Sequence, residues 1–332
     1  MQVLSFISGV PRSLTNRRTV EQLWELCEPR MPSVALRSTA LELAILAGHL
    51  MLYPAGLTDE RPARAQAPDP ADPAPRAANT PTAPGAPKTA GAAGAAGAAK
   101  APTARRSRED GTPEPRPVLM LHGFVDNRSV FVLLRRSLAR HGWRDLQCLN
   151  YSPLTCDIHA AAELLGRHVE EVCARTGRDG VDLVGHSLGG LIARYYAQCL
   201  GGDLRVRNVV TLGTPHTGTS VVPLASAHPI VRQMRPDSPL IAELSRPAPG
   251  CRTRFISFWS ELDQWMVPLE TAQLHHPDLW TENVRVSGIG HLALPVHPAV
   301  AARIREALTA PGGGARTGSS VRTVTGEPVR VA

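Results

Sequence analysis

Ser187 lies at the centre of Gly185-His186-Ser187-Leu188-Gly189, a G-x-S-x-G pentapeptide entered from the apolar run 181–184 and left through Leu191–Gln198. A strand that becomes a helix across so few residues holds the intervening serine in a strained conformation with its hydroxyl exposed at the turn. Side chains two positions either side of that serine would collide across the turn, so Gly185 and Gly189 are steric requirements. A serine presented this way acts as a nucleophile once a neighbouring base takes its proton. The plainer alternative is a glycine-rich helix start that merely contains a serine.

A nucleophile of this kind needs three partners in a fixed order along the chain: oxyanion donors upstream, then an acid, then a histidine. Upstream, Pro117–Leu121 is a short apolar run ending in His122-Gly123-Phe124. It suits a strand buried on both faces of a parallel sheet. A glycine at its exit lets the backbone turn N–H groups toward a polarised carbonyl, and the donors assigned are those of Phe124 and Leu188. His122 and Gly123 support that loop. Downstream, the strand-like run 254–260 is followed by Glu261 and Asp263 before Pro268. Asp263 is the acid placed to orient a histidine, with Glu261 its competitor. The last strand-like run, 283–287, leads through Gly288 and Gly290 to His291, the general base.

Eleven other histidines make position decisive. His297 precedes Pro298 and reads as a helix N-cap with Pro at N1. His122 and His186 read as structural. His275 and His276 adjoin Asp278, but no third or fourth ligand is evident, so no metal site is assigned. The candidate set is Ser187, Asp263 and His291, which requires neither metal nor organic cofactor.

The elements that must hold these residues alternate between apolar strands and amphipathic helices. Strands are expected at 117–121, 146–149, 181–184, 206–212, 255–259 and 284–287. Val130, Leu133, Leu134 and Leu138 form one helical stripe, Leu165, Val169 and Val172 a second, and Val300, Ile304 and Leu308 a third. This alternation predicts an α/β architecture: a doubly wound, mostly parallel sheet of about six strands flanked by helices. Residues 59–116 are rich in Pro, Ala and Gly, with almost no large apolar side chain to offset the ordering entropy, and read as a disordered linker. The stretch 311–332 reads the same way. Residues 117–310 then form the catalytic domain, and residues 1–58 a separate helical segment.

With these residues in hand the chain resembles the lipase/esterase branch of the α/β-hydrolase family, especially small bacterial triacylglycerol lipases with a reduced sheet. The matching stretches are His122-Gly123-Phe124, Gly185–Gly189, Val209–Gly218, Asp263 and Gly290-His291, and the likeness covers Pro117–Leu308. The Thr-Leu-Gly-Thr-Pro-His run at 211–216 is familiar from lipases; from its residues alone it is a strand exit rich in turn formers. The resemblance implies an α/β-hydrolase fold and an acyl-enzyme on Ser187 formed from an ester or lipid. An acyltransferase would use the same residues, and a non-catalytic, membrane-tethered module is the third reading. A thioesterase or peptidase fits the same triad. Segment 219–246 lies where this fold often inserts a lid. It reads either as an apolar cap or as surface helices packed on the sheet.

The net charge of +7 is spread as +1 over residues 1–58 and +2 over each of 59–116, 117–310 and 311–332. No segment forms a basic stripe with interleaved aromatics, so nucleic acid is not a partner. Lysine occurs only at Lys88 and Lys100. Of the six cysteines, none shows C-x-x-C or zinc-ligand spacing. Cys173 and Cys199 fall on expected helices as buried thiols, whereas Cys148 and Cys156 flank a loop and would bridge in an oxidising compartment.

Residues 38–57 approach the length of a membrane span but contain Glu42 and His49, and only Leu43–Tyr53 is strongly apolar without an acid. The stretch free of acids is shorter than the roughly 20 residues a span needs. Five arginines between Arg12 and Arg37 precede it, as positive-inside orientation requires. Two readings follow: a membrane anchor or interfacial helix that tethers the catalytic domain outside the cytoplasmic membrane, or a helix docked on a cytoplasmic catalytic domain.

Overall fold

The computed structural model describes residues 39–47, 114–151, 157–221, 228–310 and 324–330, the last as backbone only. Cys27, Cys156, the linker 59–113 and residues 48–57 lie outside the described residues.

Seven parallel strands form one sheet: β1 (Val118–Leu121), β2 (Leu146–Leu149), β3 (Val181–His186), β4 (Val206–Leu212), β5 (Arg254–Ser260), β6 (Trp280–Ser287) and β7 (Val324–Arg330). Their spatial order is β2-β1-β3-β4-β5-β6-β7, so the chain winds outward in both directions from β1 and β3. This is the doubly wound sheet anticipated from the sequence, with one strand more than expected. β7 comes from a stretch read as unstructured. Its register against β6 slips between Val284 and Val286, where Gly326 and Val329 are the partners.

Why the strands read as unbroken apolar runs is clear from the two cores. Leu119 and Leu121 of β1 face a cluster built with α3 (Ile158–Thr176) and α4 (Leu188–Cys199). Val118 and Met120 face a second cluster with α2 (Val132–Arg140) and α7 (Pro298–Thr309). Alternate residues of a strand point to opposite faces, and here both faces are covered. Leu165, Val169 and Val172 are buried as expected, and so are Val300, Ile304 and Leu308. Leu133 is not: it is 52% exposed. Residues Arg128–Phe131 form a 3-10 turn, which rephases the helix so that Phe131 takes the buried place beside Leu134 and Leu138.

Helix ends follow local chemistry. His297 caps α7, its Nδ1 accepting the Ala299 N–H at 3.2 Å, with Pro298 at the first position. Asp157 caps α3 by accepting the Ala160 N–H at 2.8 Å, and Gly177 ends that helix in the left-handed region. Cys148, Cys173 and Cys251 are buried, whereas Cys199 is exposed at the end of α4.

Residues 39–47 form helix α1, and it sits against the sheet domain. Glu42 and Ile45 are its half-buried residues, three apart and so on one face. Ile45 packs on the cluster that includes Ile289, Ala293 and Leu294. Among the described residues no helix is long and apolar enough to cross a membrane.

Candidate active site

β3 and α4 meet at Ser187, which adopts φ 51° and ψ −119°. Among the described residues it is the only non-glycine with positive φ. Strain of this kind costs of order 1–3 kcal/mol and persists only where the surroundings enforce it. The enforcement here is visible. A Cβ on Gly185 would lie 2.5 Å from the Gly190 backbone, and one on Gly189 would lie 2.2 Å from the Leu121 carbonyl oxygen. The turn is thus pressed against β1 on one side and against itself on the other. Thr214 Oγ1 adds a hydrogen bond to the Ser187 carbonyl at 3.0 Å.

Leu188, the first residue of α4, carries one of the backbone N–H groups that a helix start leaves without an internal partner. The positive end of the helix dipole lies at the same place. Phe124 belongs to the loop that leaves β1 and lines the same cavity as Ser187. Gly123 brings that loop close: a Cβ there would sit 3.3 Å from Ser187 Cβ and 2.9 Å from Asp126 Oδ2.

His291 and Asp263 meet at 2.8 Å, Nδ1 to Oδ2, and both are buried. A carboxylate only accepts, so Nδ1–H donates and Nε2 is left as the basic nitrogen. Asp263 Oδ1 also accepts the Trp265 N–H at 3.0 Å, which fixes the carboxylate plane. Glu261, the competing acid, instead faces Arg285 at 3.4 Å near the surface. Gly213, with φ +54°, stands behind the pair, and a Cβ on it would lie 2.7 Å from Asp263 Oδ2 and 2.9 Å from His291 Nδ1. Burial disfavours the imidazolium, but the Asp263 carboxylate, with smaller contributions from Asp126 and Glu42, outweighs it. His291 is therefore held above the ordinary histidine value of 6.5.

Three other histidines, His186, His122 and His276, fall into structural places. His186 is fully buried between two acceptors: Asp126 Oδ2 lies 2.9 Å from its Nδ1 and the His291 carbonyl 3.2 Å from its Nε2. His122 stacks on Tyr151 at 4.3 Å, and burial pushes its pKa below the usual value. His276 pins a loop, bonding the Arg246 carbonyl at 3.0 Å and accepting the Asp278 N–H at 3.1 Å.

Ser187 and His291 open into one cavity of about 170 Å³, lined chiefly by Phe124, Val125, Val221, Val231, Met234, Trp265 and Met266. The Trp265 ring stacks on His291 at 5.6 Å and 24°. Trp259 lies under Arg285 instead, 5.8 Å from its guanidinium carbon, and does not line the cavity. Residues 222–227 of segment 219–246 lie outside the described residues; the rest does two things at once, through α5 (Pro229–Gln233) and α6 (Pro239–Leu244). Ile230, Leu240, Ile241 and Leu244 pack into the core, while Val231 and Met234 form a cavity wall.

Sequence reasoning missed Asp126, Gly213 and Glu42. Gly213 carried a signal, as a lone glycine at a strand exit. Asp126 and Glu42 carried none, since their partners are distant in the chain.

Residues 117–245 match the family of palmitoyl protein thioesterases. Triacylglycerol lipases of Pseudarthrobacter phenanthrenivorans and Burkholderia plantarii are each 33% identical over 111 residues, which is 31% of this chain and 34% and 30% of theirs. The match thus spans about a third of the length of these curated relatives. Bacillus licheniformis lipase BlEst2 in its mature form superposes with a TM-score of 0.51 at 16% identity, covering 59% of this chain and 93% of that one. Aspergillus fumigatus lipase B gives 0.51 at 16% identity, over 60% and 54%. The chain has the α/β-hydrolase fold and resembles the lipases and esterases built on it.

Proposed function

We propose that the protein is a serine carboxylester hydrolase of lipase or esterase type, working through an acyl-enzyme on Ser187. One observation carries the reading. A strained serine at a strand-to-helix turn shares an apolar cavity with a histidine whose far nitrogen is bonded to a buried carboxylate. His291 Nε2 takes the Ser187 proton as Oγ attacks the ester carbonyl. Asp263 holds the imidazole in the required tautomer and stabilises its charged form. The Phe124 and Leu188 N–H groups receive the developing oxyanion. His291 then protonates the departing alcohol, and water repeats the cycle to release the acid and restore the serine.

The family match favours a closely related substrate, an acyl thioester, which needs the same groups. The test is hydrolysis of p-nitrophenyl esters from two to sixteen acyl carbons, and of the matching thioesters, by the full chain and by Ser187→Ala. Losing the nucleophile removes about a millionfold in rate, so the two proteins separate cleanly. Activity that survives in the variant overturns the nucleophile. Folded wild-type protein without activity on either series moves the reading to an acyltransferase or a silent module.

Association of residues 38–57 with a lipid surface belongs to the same proposal. α1 turns Glu42 and Ile45 inward and leaves Leu41, Leu43 and Leu46 at 39%, 62% and 38% exposure. Flotation of the full chain with anionic vesicles, abolished by Leu41, Leu43 and Leu46 to Ser, supports it. Flotation that survives the triple variant overturns it.

A further inference from the structure

We propose that Glu42 is a positioning residue for His291, so that helix α1 forms part of the working site although 249 positions separate the two residues in the chain. The inference rests on the reading of His291 as the general base.

The geometry is specific. Glu42 Oε2 accepts the Leu292 N–H at 2.9 Å and Oε1 accepts the Ala293 N–H at 3.0 Å. On the other side, the His291 carbonyl faces His186 Nε2 at 3.2 Å. The His291 carbonyl and the Leu292 N–H belong to one planar peptide unit. That unit is therefore gripped at both polar ends, by Glu42 and by the Asp126–His186 pair. Rotating it would swing the imidazole away from Asp263. Hydrogen bonds to a charged acceptor are about twice as strong as neutral ones, which suits a clamp.

The sequence has made room for this contact. A Cβ on Gly290 would lie 2.8 Å from Glu42 Cδ and 2.9 Å from Cγ and Oε1. Gly290 is not among the glycines with positive φ, unlike Gly288 at 89°. What position 290 requires is the absence of a side chain, and the space is filled by Glu42. Ile45 completes the seat by packing on the cluster that holds Ile289, Ala293 and Leu294.

The charged and titratable groups facing His291 are Asp263, Asp126, Glu42 and His186. Glu42 contributes to keeping the imidazole protonated at higher pH. Removing its charge lowers the His291 pKa, so the acid limb of kcat/KM moves to lower pH.

The experiment compares the full chain with Glu42→Ala, Glu42→Gln, Gly290→Ala and the Glu42→Ala/Gly290→Ala double variant. Displacing a reacting group by about an ångström costs about a hundredfold, so Glu42→Ala is expected to lose about tenfold to a hundredfold in kcat with KM little changed. Glu42→Gln keeps an acceptor oxygen and loses less kcat, while its acid limb shifts as far as that of Glu42→Ala. Gly290→Ala expels the carboxylate and mimics Glu42→Ala. In the double variant the methyl has room, so the two losses do not add. Hydrogen exchange at the Leu292 and Ala293 amides accelerates in each single variant.

Folded Glu42→Ala with wild-type kcat, acid limb and exchange overturns the proposal, and so does full additivity in the double variant. Should the wild-type chain hydrolyse no ester or thioester, the functional reading fails separately. The amide exchange, and an NMR titration of the His291 imidazole in wild type and in Glu42→Ala, still decide the role of Glu42: unaltered values overturn it.

Discussion

Gly213→Ala gives the sharpest test of how the site is held. The new Cβ lands 2.7 Å from Asp263 Oδ2 and 2.9 Å from His291 Nδ1, two atoms that are themselves 2.8 Å apart. Carbon contacts relax at about 3.5 Å or beyond, so each atom must retreat by roughly 0.5–1 Å. A displacement of that size at a catalytic group costs about a hundredfold in kcat, with a ceiling of about ten-thousandfold if the carboxylate no longer orients the ring. The substitution also places alanine at φ +54°, a strain of about 1–2 kcal/mol. Gly201→Ala separates the two effects, because Gly201 has φ +72° and nothing within 4 Å of its would-be Cβ. Both variants are expected to lower Tm by a few degrees, at about 2–4 °C per kcal/mol for a domain of this size. Only Gly213→Ala is expected to lose kcat. Steady-state hydrolysis beside thermal melts reads both quantities. Retention of kcat within about threefold in Gly213→Ala, or an equal loss in Gly201→Ala, refutes the argument that the glycine makes room for the pair.

Three further outcomes are expected. With His291 as the proposed base, acting when neutral and with its pKa raised, kcat/KM is expected to fall with decreasing pH along a limb centred above 6.5; a limb centred clearly below that value contradicts the Asp263 assignment. Asp182 is buried, and burial raises its carboxyl from 3.8 to about 6 despite hydrogen bonds from Asn208. The neutral form is favoured in the fold, so this residue loses stability for the protein as pH rises from 4 through 6. Asp182→Asn should then stabilise by up to about 3 kcal/mol above pH 7 and by nothing near pH 4, measured by urea unfolding at both pH values. Asp126→Ala leaves the buried His186 Nδ1 without its partner and should destabilise by about 1–3 kcal/mol, with a loss of less than about 0.5 kcal/mol ruling out this contact as a support.

Much of this was legible in the sequence because it was local. Most of the strands announced themselves by apolar runs, since a parallel sheet covered on both faces allows little else. Ser187 was fixed by glycines within two residues of it, and His291 by its place after the last expected strand. Asp263 over Glu261 was a choice between neighbours, and Arg285, on β6, accounts for the one left at the surface. What was hidden depends on contacts between distant segments. Asp126 meets His186 60 residues on, and Glu42 meets Leu292 across 250. Leu133 misled because it adjoins Leu134 but turns away from the face that Phe131, Leu134 and Leu138 bury. β7 was hidden for another reason: a strand with Gly326 and Pro328 in it is a poor strand by composition, and only pairing along β6 makes it one.

That pairing bears on how readily the sheet would accept a further strand. Without β7, the strand feeding the His291 loop would be the rim of the sheet, offering a row of open N–H and C=O groups to any extended peptide. β7 moves the rim one strand outward and ends it with a register slip and a proline that has no N–H to give. At the opposite rim β2 is four residues long. Both borders are therefore poor templates for strand addition, and clipping the last residues should show first as self-association rather than as lost chemistry.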